Sequence, residues 1–154
     1  EEAIKICRLM WPEEDPHFDG DFFQIAGAAA PPVVDQVPPI CIGTSGEQIG
    51  IPLAARQADI WNTVWRGDRD SLTKKRNIML RELERAGRSR DDVQFSLTIE
   101  RALPQTSGEV DEFGTLLGEL VDDGIEHFVL DFGNPETADE ADLFIEQVMK
   151  PLRN

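Results

Sequence analysis

Two histidines, His17 and His127, and two cysteines, Cys7 and Cys41, are all that 154 residues contain of either type. So few histidines exclude a His-rich metal centre, and no spacing of carboxylates marks a mixed one, so no metal ligand is assigned. The cysteines are far apart in sequence and sit in apolar surroundings. A disulfide framework uses more cysteines in a shorter secreted chain, so two buried reduced thiols are expected. Basic residues are also scarce: 15 Lys+Arg stand against 30 Asp+Glu, for a formal net charge of −15. A surface that reads phosphates needs a surplus of Lys and Arg, which argues against a nucleic-acid or anionic-membrane partner. A local basic patch stays open. No uninterrupted apolar run approaches the roughly 20 residues that span a bilayer. The opening Glu1-Glu2-Ala3-Ile4-Lys5 has neither the basic nor the apolar part of a signal peptide. The expected location is cytoplasmic.

What is present suffices for a core. The hydrophobic fraction is 40% and the charged fraction 29%, which argues against wholesale disorder. Ile4, Cys7, Met10 and Trp11 draw one apolar stripe, a first helix that Pro12 stops. Residues 17–25 place Asp19-Gly20 between short apolar flanks and predict a hairpin. Residues 26–39 hold four prolines and an alanine run, an irregular arm. Residues 40–42 predict a strand, 43–46 a turn, and the following residues to Arg56 a helix. Residues 58–64 predict a second strand. Residues 70–86 predict a long helix with Leu72, Met79, Leu83 and Ala86 inside and Gly87 just past its end. Residues 93–103 alternate as a third strand. Ser107 is the expected cap of the next helix, whose stripe is Val110, Phe113, Leu117, Leu120 and Val121, with Gly124 at its end. Residues 125–132 predict a fourth strand. Thr137 and Glu140 fit a capping box for a last helix with Ala141, Phe144, Ile145, Val148 and Met149 inside, closed by Pro151. Strand and helix thus alternate four times, which requires crossover connections and a parallel α/β sheet covered on both faces.

The strongest chemical signal is Gly43-Thr44-Ser45-Gly46-Glu47, where a buried strand opens toward a helix. Two glycines admit a ligand close to the backbone, and the free N–H groups of a helix start attract phosphate. A plain tight turn wants the same residues. The run lacks the Gly-Lys-Ser/Thr end of a Walker A loop, and Glu47 stands where a nucleophile elbow needs glycine. Trp61 and Asn62 near a strand end fit a pocket wall, but the pattern alone favours a core indole and a strand-terminating amide. Arg66, Arg69, Lys74, Lys75 and Arg76 are the one basic cluster: a solvated helix face, or a rim that steers anions. Arg66-Gly67-Asp68 matches an adhesion tripeptide and is read as coincidence. Glu100 and Asp131 lie toward strand ends, with nothing to fix their separation.

The run PPICIGTSGEQIGIPLAARQADIWN (38–62) resembles the signature of the luciferase-like monooxygenase family, a Pro-Pro-Ile-x-Ile-Gly-Gly-Ser-Gly-Glu strand–turn followed by Leu-x-x-Ala-Ala-Arg-x-Ala-Asp-x-Trp-Asn. The first helix, the arm at 18–25, Ala86-Gly87-Arg88, residues 128–133 and residues 148–151 are similar to that family in the same order. The resemblance covers essentially the whole chain. It implies a (β/α)8 barrel that binds FMN or the deazaflavin coenzyme F-420, with a slight lean to the deazaflavin, and acts on a small organic substrate as an oxidoreductase or monooxygenase. Carried over, Gly43, Thr44, Ser45, Gly46 and Glu47 become the cofactor-phosphate turn, and Trp61 and Asn62 its pocket neighbours.

Three departures shape the expectation. Thr44 replaces the usual second glycine. Gly50 and Pro52 stand where the family has good helix formers, so the helix is expected to start late. A (β/α)8 barrel needs eight strands and about 250 residues, whereas four barrel strands are counted here. The chain is therefore read as the C-terminal half of the barrel, residues 1–39 forming a helix, hairpin and arm and 40–154 four β–α units. Residue 1 is Glu rather than Met, which is read as a cut edge. Catalytic residues are expected in the absent N-terminal half and are not named. Alone, the chain is expected to be inactive. The rival expectation is a stand-alone half-barrel module that pairs with itself or with a separate N-terminal half.

Overall fold

The computed structural model describes residues 1–28, 31–100, 104, 106–130, 142 and 144–150. Helix α1 (Glu2–Met10) forms as its stripe predicts, but none of its residues is buried. Polar links hold it instead. Arg8 meets Asp59 at 2.7 Å and the Gln57 carbonyl at 2.9 Å, and Glu1 meets Arg56 at 2.8 Å. Cys7 is exposed on this helix and Cys41 on the sheet. Both thiols are free, as expected, but the expected burial is wrong, because each lies on a face that no described element covers.

The hairpin pairs β1 (His17–Asp19) with β2 (Gln24–Ala26), antiparallel, with Phe18 opposite Ile25. Glu2 anchors its loop: the carboxylate accepts from the amides of Asp21, Phe22 and Phe23 at 2.8, 3.0 and 2.9 Å. A Cβ on Gly20 would meet the Phe18 ring at 2.5 Å and the Glu2 carboxylate at 2.6 Å, so this contact requires glycine.

The main sheet has four parallel strands in sequence order, β3 (Cys41–Gly43), β4 (Ile60–Trp65), β5 (Gln94–Ile99) and β6 (His127–Leu130). Between them run α2 (Gly50–Gln57), α3 (Arg69–Arg85) and α4 (Ser107–Asp122). Strand alternation sorts the side chains into two faces. On one, Ile42, Trp61, Phe95, Leu97, Ile99, Phe128 and Leu130 pack with Ile51, Ala54 and Ala55 of α2, Leu72, Met79 and Leu83 of α3, and Val110, Phe113, Leu117 and Leu120 of α4. The opposite face carries Cys41, Gly43, Asn62, Gln94, Ser96, Thr98, His127 and Val129. Cys41, His127 and Val129 are exposed on this face, Asn62 and Thr98 half-buried, and Ser96 1% exposed.

Helix ends follow local chemistry. The Asp68 side chain caps α3 by accepting from Ser71 N at 3.0 Å, which gives the Arg-Gly-Asp run a structural reason. Gly87 (φ +69°) and Gly124 (φ +86°) end α3 and α4. Each is followed by an amide that reaches back to Leu83 or Leu120, a closed C-terminal motif. Guanidiniums collect at the negative end of α4: Arg69 pairs with Glu119 and Asp123, both at 2.8 Å, and Arg90 donates to the Gly124 carbonyl at 2.8 Å.

Four details differ from the sequence expectation. The cap of α4 is Thr106, not Ser107, because Glu109 three residues on returns the bond to the Thr106 amide. Val121 is 48% exposed, and Ile145 and Met149 are exposed too, since they lie beside or beyond edge strand β6. Ala86 is half-buried, at the end of α3. Strand β5 covers six residues inside the predicted range, and β6 starts at His127, two residues later than predicted. Residues 101–103, Asp131 with the rest of the fourth-strand prediction, the Thr137–Glu140 capping box, Ala141 and Pro151 lie outside the described residues. Phe144 and Val148 of the last segment are buried as expected.

Candidate functional site

The turn after β3 is built from contacts with the next strand. Thr44 N donates to the Asn62 carbonyl at 2.8 Å and so extends the parallel ladder by one bond. The Thr44 carbonyl accepts Trp61 Nε1–H at 3.1 Å. The Thr44 hydroxyl accepts Gly46 N–H at 3.2 Å. The Ser45 hydroxyl bonds the buried Thr63 hydroxyl at 2.8 Å. Glu47 pairs with Lys74 of α3 at 2.7 Å. Both hydroxyls therefore shape the turn, and the Glu47 charge is offset by a lysine.

Gly50 begins α2 seven residues after β3 ends, the late start expected. A Cβ on it would lie 1.9 Å from Thr44 Oγ1. Pro52 falls in the first turn, where its missing N–H costs nothing. The residue before the helix, Ile49, supplies no side-chain cap. The amides of Glu47, Gln48 and Ile49 find no partner among the described residues. Uncapped donors at a helix start, behind a small-residue turn, form an arrangement suited to an oxyanion. A Cβ on Gly43 would meet no atom within 4 Å, so the approach above the strand end is open.

Trp61 and Asn62 point to opposite faces. Trp61 is 1% exposed and stands edge-on to Phe95, with centroids 5.2 Å apart. It supports the turn from beneath. Asn62, half-buried on the open face, donates to Ser96 Oγ at 2.8 Å and accepts from Thr98 Oγ1 at 3.0 Å. Ser96 Oγ also bonds His127 Nδ1 at 2.8 Å. Gly43, Asn62, Ser96 and His127 lie in one register row across all four strands. Sequence reasoning singled out only Gly43 and Asn62 of this row. The alternation of β5 carried the signal for Ser96 and Thr98, but their partners depend on register.

The basic cluster divides. Arg69 and Lys74 are paired as described, and Arg76 packs beneath Gly124 with its Nε buried and unbonded. Arg66 leaves the end of β4 beside Glu100 at the end of β5. Cys41 starts β3 on the open face, and desolvation by its neighbours pushes its thiol pKa up. Among the described residues no group of His, Cys, Asp and Glu is placed to hold a metal ion. No helix of the described residues is long and apolar enough to cross a membrane.

Four parallel strands joined by three helices, with a small-residue turn at a strand's C-terminal end, define a parallel α/β protein. The family model for luciferase-like monooxygenases matches residues 1–112, and the chain belongs to that family. Among solved structures it is similar to an F420-dependent secondary alcohol dehydrogenase in complex with an F420-acetone adduct (TM-score 0.77, 18% identity), over 96% of this chain and 59% of that one. It is also similar to DmoA from Hyphomicrobium sulfonivorans (TM-score 0.52, 14% identity), over 75% of this chain and 28% of that one. At these identities the likeness establishes the fold. No curated protein matches. The chain spans 59% of the first structure and 28% of the second, less than two thirds of either, and its fold is that of part of a (β/α)8 barrel, as expected.

Proposed function

We propose that this chain is the C-terminal half of a luciferase-like oxidoreductase dependent on a flavin or deazaflavin, and that residues 43–47 receive the cofactor's phosphate. The observation that carries the reading is the uncapped start of α2 behind that turn, with three amides lacking partners. Gly43 and Gly46 let the phosphate approach the backbone. The shapes of Thr44 and Ser45 are set by Trp61 and Thr63, so Trp61 acts as a positioning residue. Asn62 contributes to the polar wall of the open face. Lys74 pairs with Glu47 and so reduces the repulsion that this carboxylate would exert on an arriving phosphate.

The bound cofactor supplies the redox chemistry, hydride transfer or, with a flavin, oxygen activation. The described residues bind and orient it, and the residues that touch the small organic substrate belong to the other half of the barrel. On this reading the isolated chain shows no turnover above free cofactor, and the location is cytoplasmic. F-420 is favoured slightly over FMN because the neighbour at TM-score 0.77 is named for it. Titration with FMN and riboflavin tests the turn: binding of FMN without riboflavin locates the affinity at the phosphate, and equal affinities overturn this placement.

One observation favours a second reading, a half-barrel module that pairs with a second copy or a separate N-terminal half. Strands β3 and β6 both end the sheet, and free edges invite pairing. Size-exclusion chromatography with light scattering distinguishes a closed dimer from a monomer.

A further inference from the structure

The C-terminal ends of β4 and β5 enclose a second cleft, which the phosphate turn does not use. Trp65, Arg66, Gly67, Ile99 and Glu100 line it, and its volume is about 430 Å³. Trp65 and Ile99 are the last paired residues of these strands. Arg66 and Glu100 therefore leave the sheet as neighbours on adjacent parallel strands. Gly67, at φ +76°, turns the chain toward the Asp68 cap directly after Arg66, a left-handed conformation suited to glycine.

Both charged side chains are exposed. No ion pair joins Arg66 or Glu100 to each other or to another described residue, although Arg8, Arg56, Arg69, Lys74 and Arg90 all hold carboxylates. Arg76, Arg81 and Arg88 also hold no carboxylate among the described residues, so what sets Arg66 apart is its place beside Glu100 in one cleft. Here two opposite charges stand on either side of a cleft instead of closing on each other.

We propose that this cleft reads the dione edge of the flavin or deazaflavin ring, Arg66 donating to a ring carbonyl and Glu100 accepting from the adjacent ring N–H. The proposal rests on the cofactor reading above. The pyrimidine edge of both ring systems presents acceptor, donor and acceptor in a row. A guanidinium only donates and an ionised carboxylate only accepts, so the pair matches one carbonyl and the N–H beside it. A phosphate would be drawn by Arg66 and repelled by Glu100, which leaves it to the turn after β3. Both sites lie at the C-terminal ends of neighbouring strands, where barrel enzymes hold their ligands. Trp65 supplies an apolar wall for the ring. Because the dione edge is common to both cofactors, this cleft does not choose between them.

The test titrates the 154-residue chain with FMN, F-420 and 3-methyl-FMN, in which a methyl replaces the ring N–H, followed by ligand fluorescence. The expected result is binding about tenfold weaker for 3-methyl-FMN, the size of a lost hydrogen bond to a charged group. Glu100→Gln and Glu100→Ala weaken FMN similarly and bring it level with the methylated analogue. Arg66→Met weakens both analogues alike. All three side-chain changes are at exposed positions, and circular dichroism checks that each variant folds. If FMN and 3-methyl-FMN bind the parent chain equally and no variant changes either, the cleft assignment is overturned and the phosphate reading stands. If the folded chain binds neither FMN nor F-420, the cofactor reading fails and takes this assignment with it.

Discussion

Thr44 and Gly50 share one space: a Cβ on Gly50 would lie 1.9 Å from Thr44 Oγ1 and 2.9 Å from Thr44 Cβ. Each is a departure from the family pattern, threonine for a small residue and glycine for a helix former, and the structure makes them one change. The side chain added at 44 is accommodated by the side chain absent at 50.

Gly50→Ala should therefore destabilise the chain by about 1–3 kcal/mol, the usual cost of overpacking. Thr44→Gly/Gly50→Ala should be at least as stable as Thr44→Gly alone, since alanine relieves about 0.5–1 kcal/mol of glycine's entropy cost in a helix. Urea denaturation of the four proteins gives the coupling directly. A double variant that loses the sum of the two single losses would show that the contact does not matter.

Trp61→Phe keeps a ring against Phe95 and removes the donor to the Thr44 carbonyl. The expected loss is about 1 kcal/mol for one neutral hydrogen bond. Because that bond holds the turn, amide exchange at Ser45 to Ile49 should quicken more than exchange in α3. Uniform acceleration across the chain would mean that the indole stabilises the fold and not the turn.

The order of elements was legible because both periodicities are strong: alternation in Phe95, Leu97 and Ile99, and helical spacing in Leu72, Met79 and Leu83. The turn was legible from its glycines. Thr106 was readable too, since Glu109 three residues later distinguishes it from Ser107 as the cap. What was not legible depends on register between distant segments. Ser45 meets Thr63, and Asn62 meets Ser96, only because β3, β4 and β5 align as they do. The burial of Cys41 was misjudged for a related reason: apolar neighbours in sequence point to the helix side, while Cys41 points to the face left open. The site residues follow the same division, for composition marked the Gly43–Gly46 backbone but not the pairing of Glu47 with Lys74.

The anchor between α1 and the hairpin should depend on pH. Desolvation raises the Glu2 pKa, but the three amide donors outweigh it and hold the carboxyl below the ordinary glutamate value. A depressed folded pKa means that the contact stabilises above the unfolded pKa and fades as pH falls through the folded one. The amide shifts of Asp21, Phe22 and Phe23 should titrate together, with a midpoint below the ordinary glutamate value of about 4.3. Glu2→Ala should abolish that titration and loosen the hairpin without melting the sheet. Separate midpoints for the three amides would break the assignment to one carboxylate.

His127 should be held in one tautomer by the chain of bonds across the open face. Thr98 donates to Asn62 Oδ1, and Asn62 Nδ2 donates to Ser96 Oγ. Ser96 then has one hydrogen left, and His127 Nδ1 at 2.8 Å is its acceptor among the described residues. Neutral imidazole that accepts at Nδ1 carries its proton on Nε2. Long-range nitrogen–proton correlation spectra of the neutral ring should show the Nε2–H form. Ser96→Ala removes the donor and should let the two forms mix. If the parent chain instead shows Nδ1–H, the Ser96–His127 bond alone is reversed, with Ser96 accepting from both sides. The distinction matters because only the Nε2–H form leaves a ring donor free on the row that begins at Gly43, beside the proposed phosphate turn.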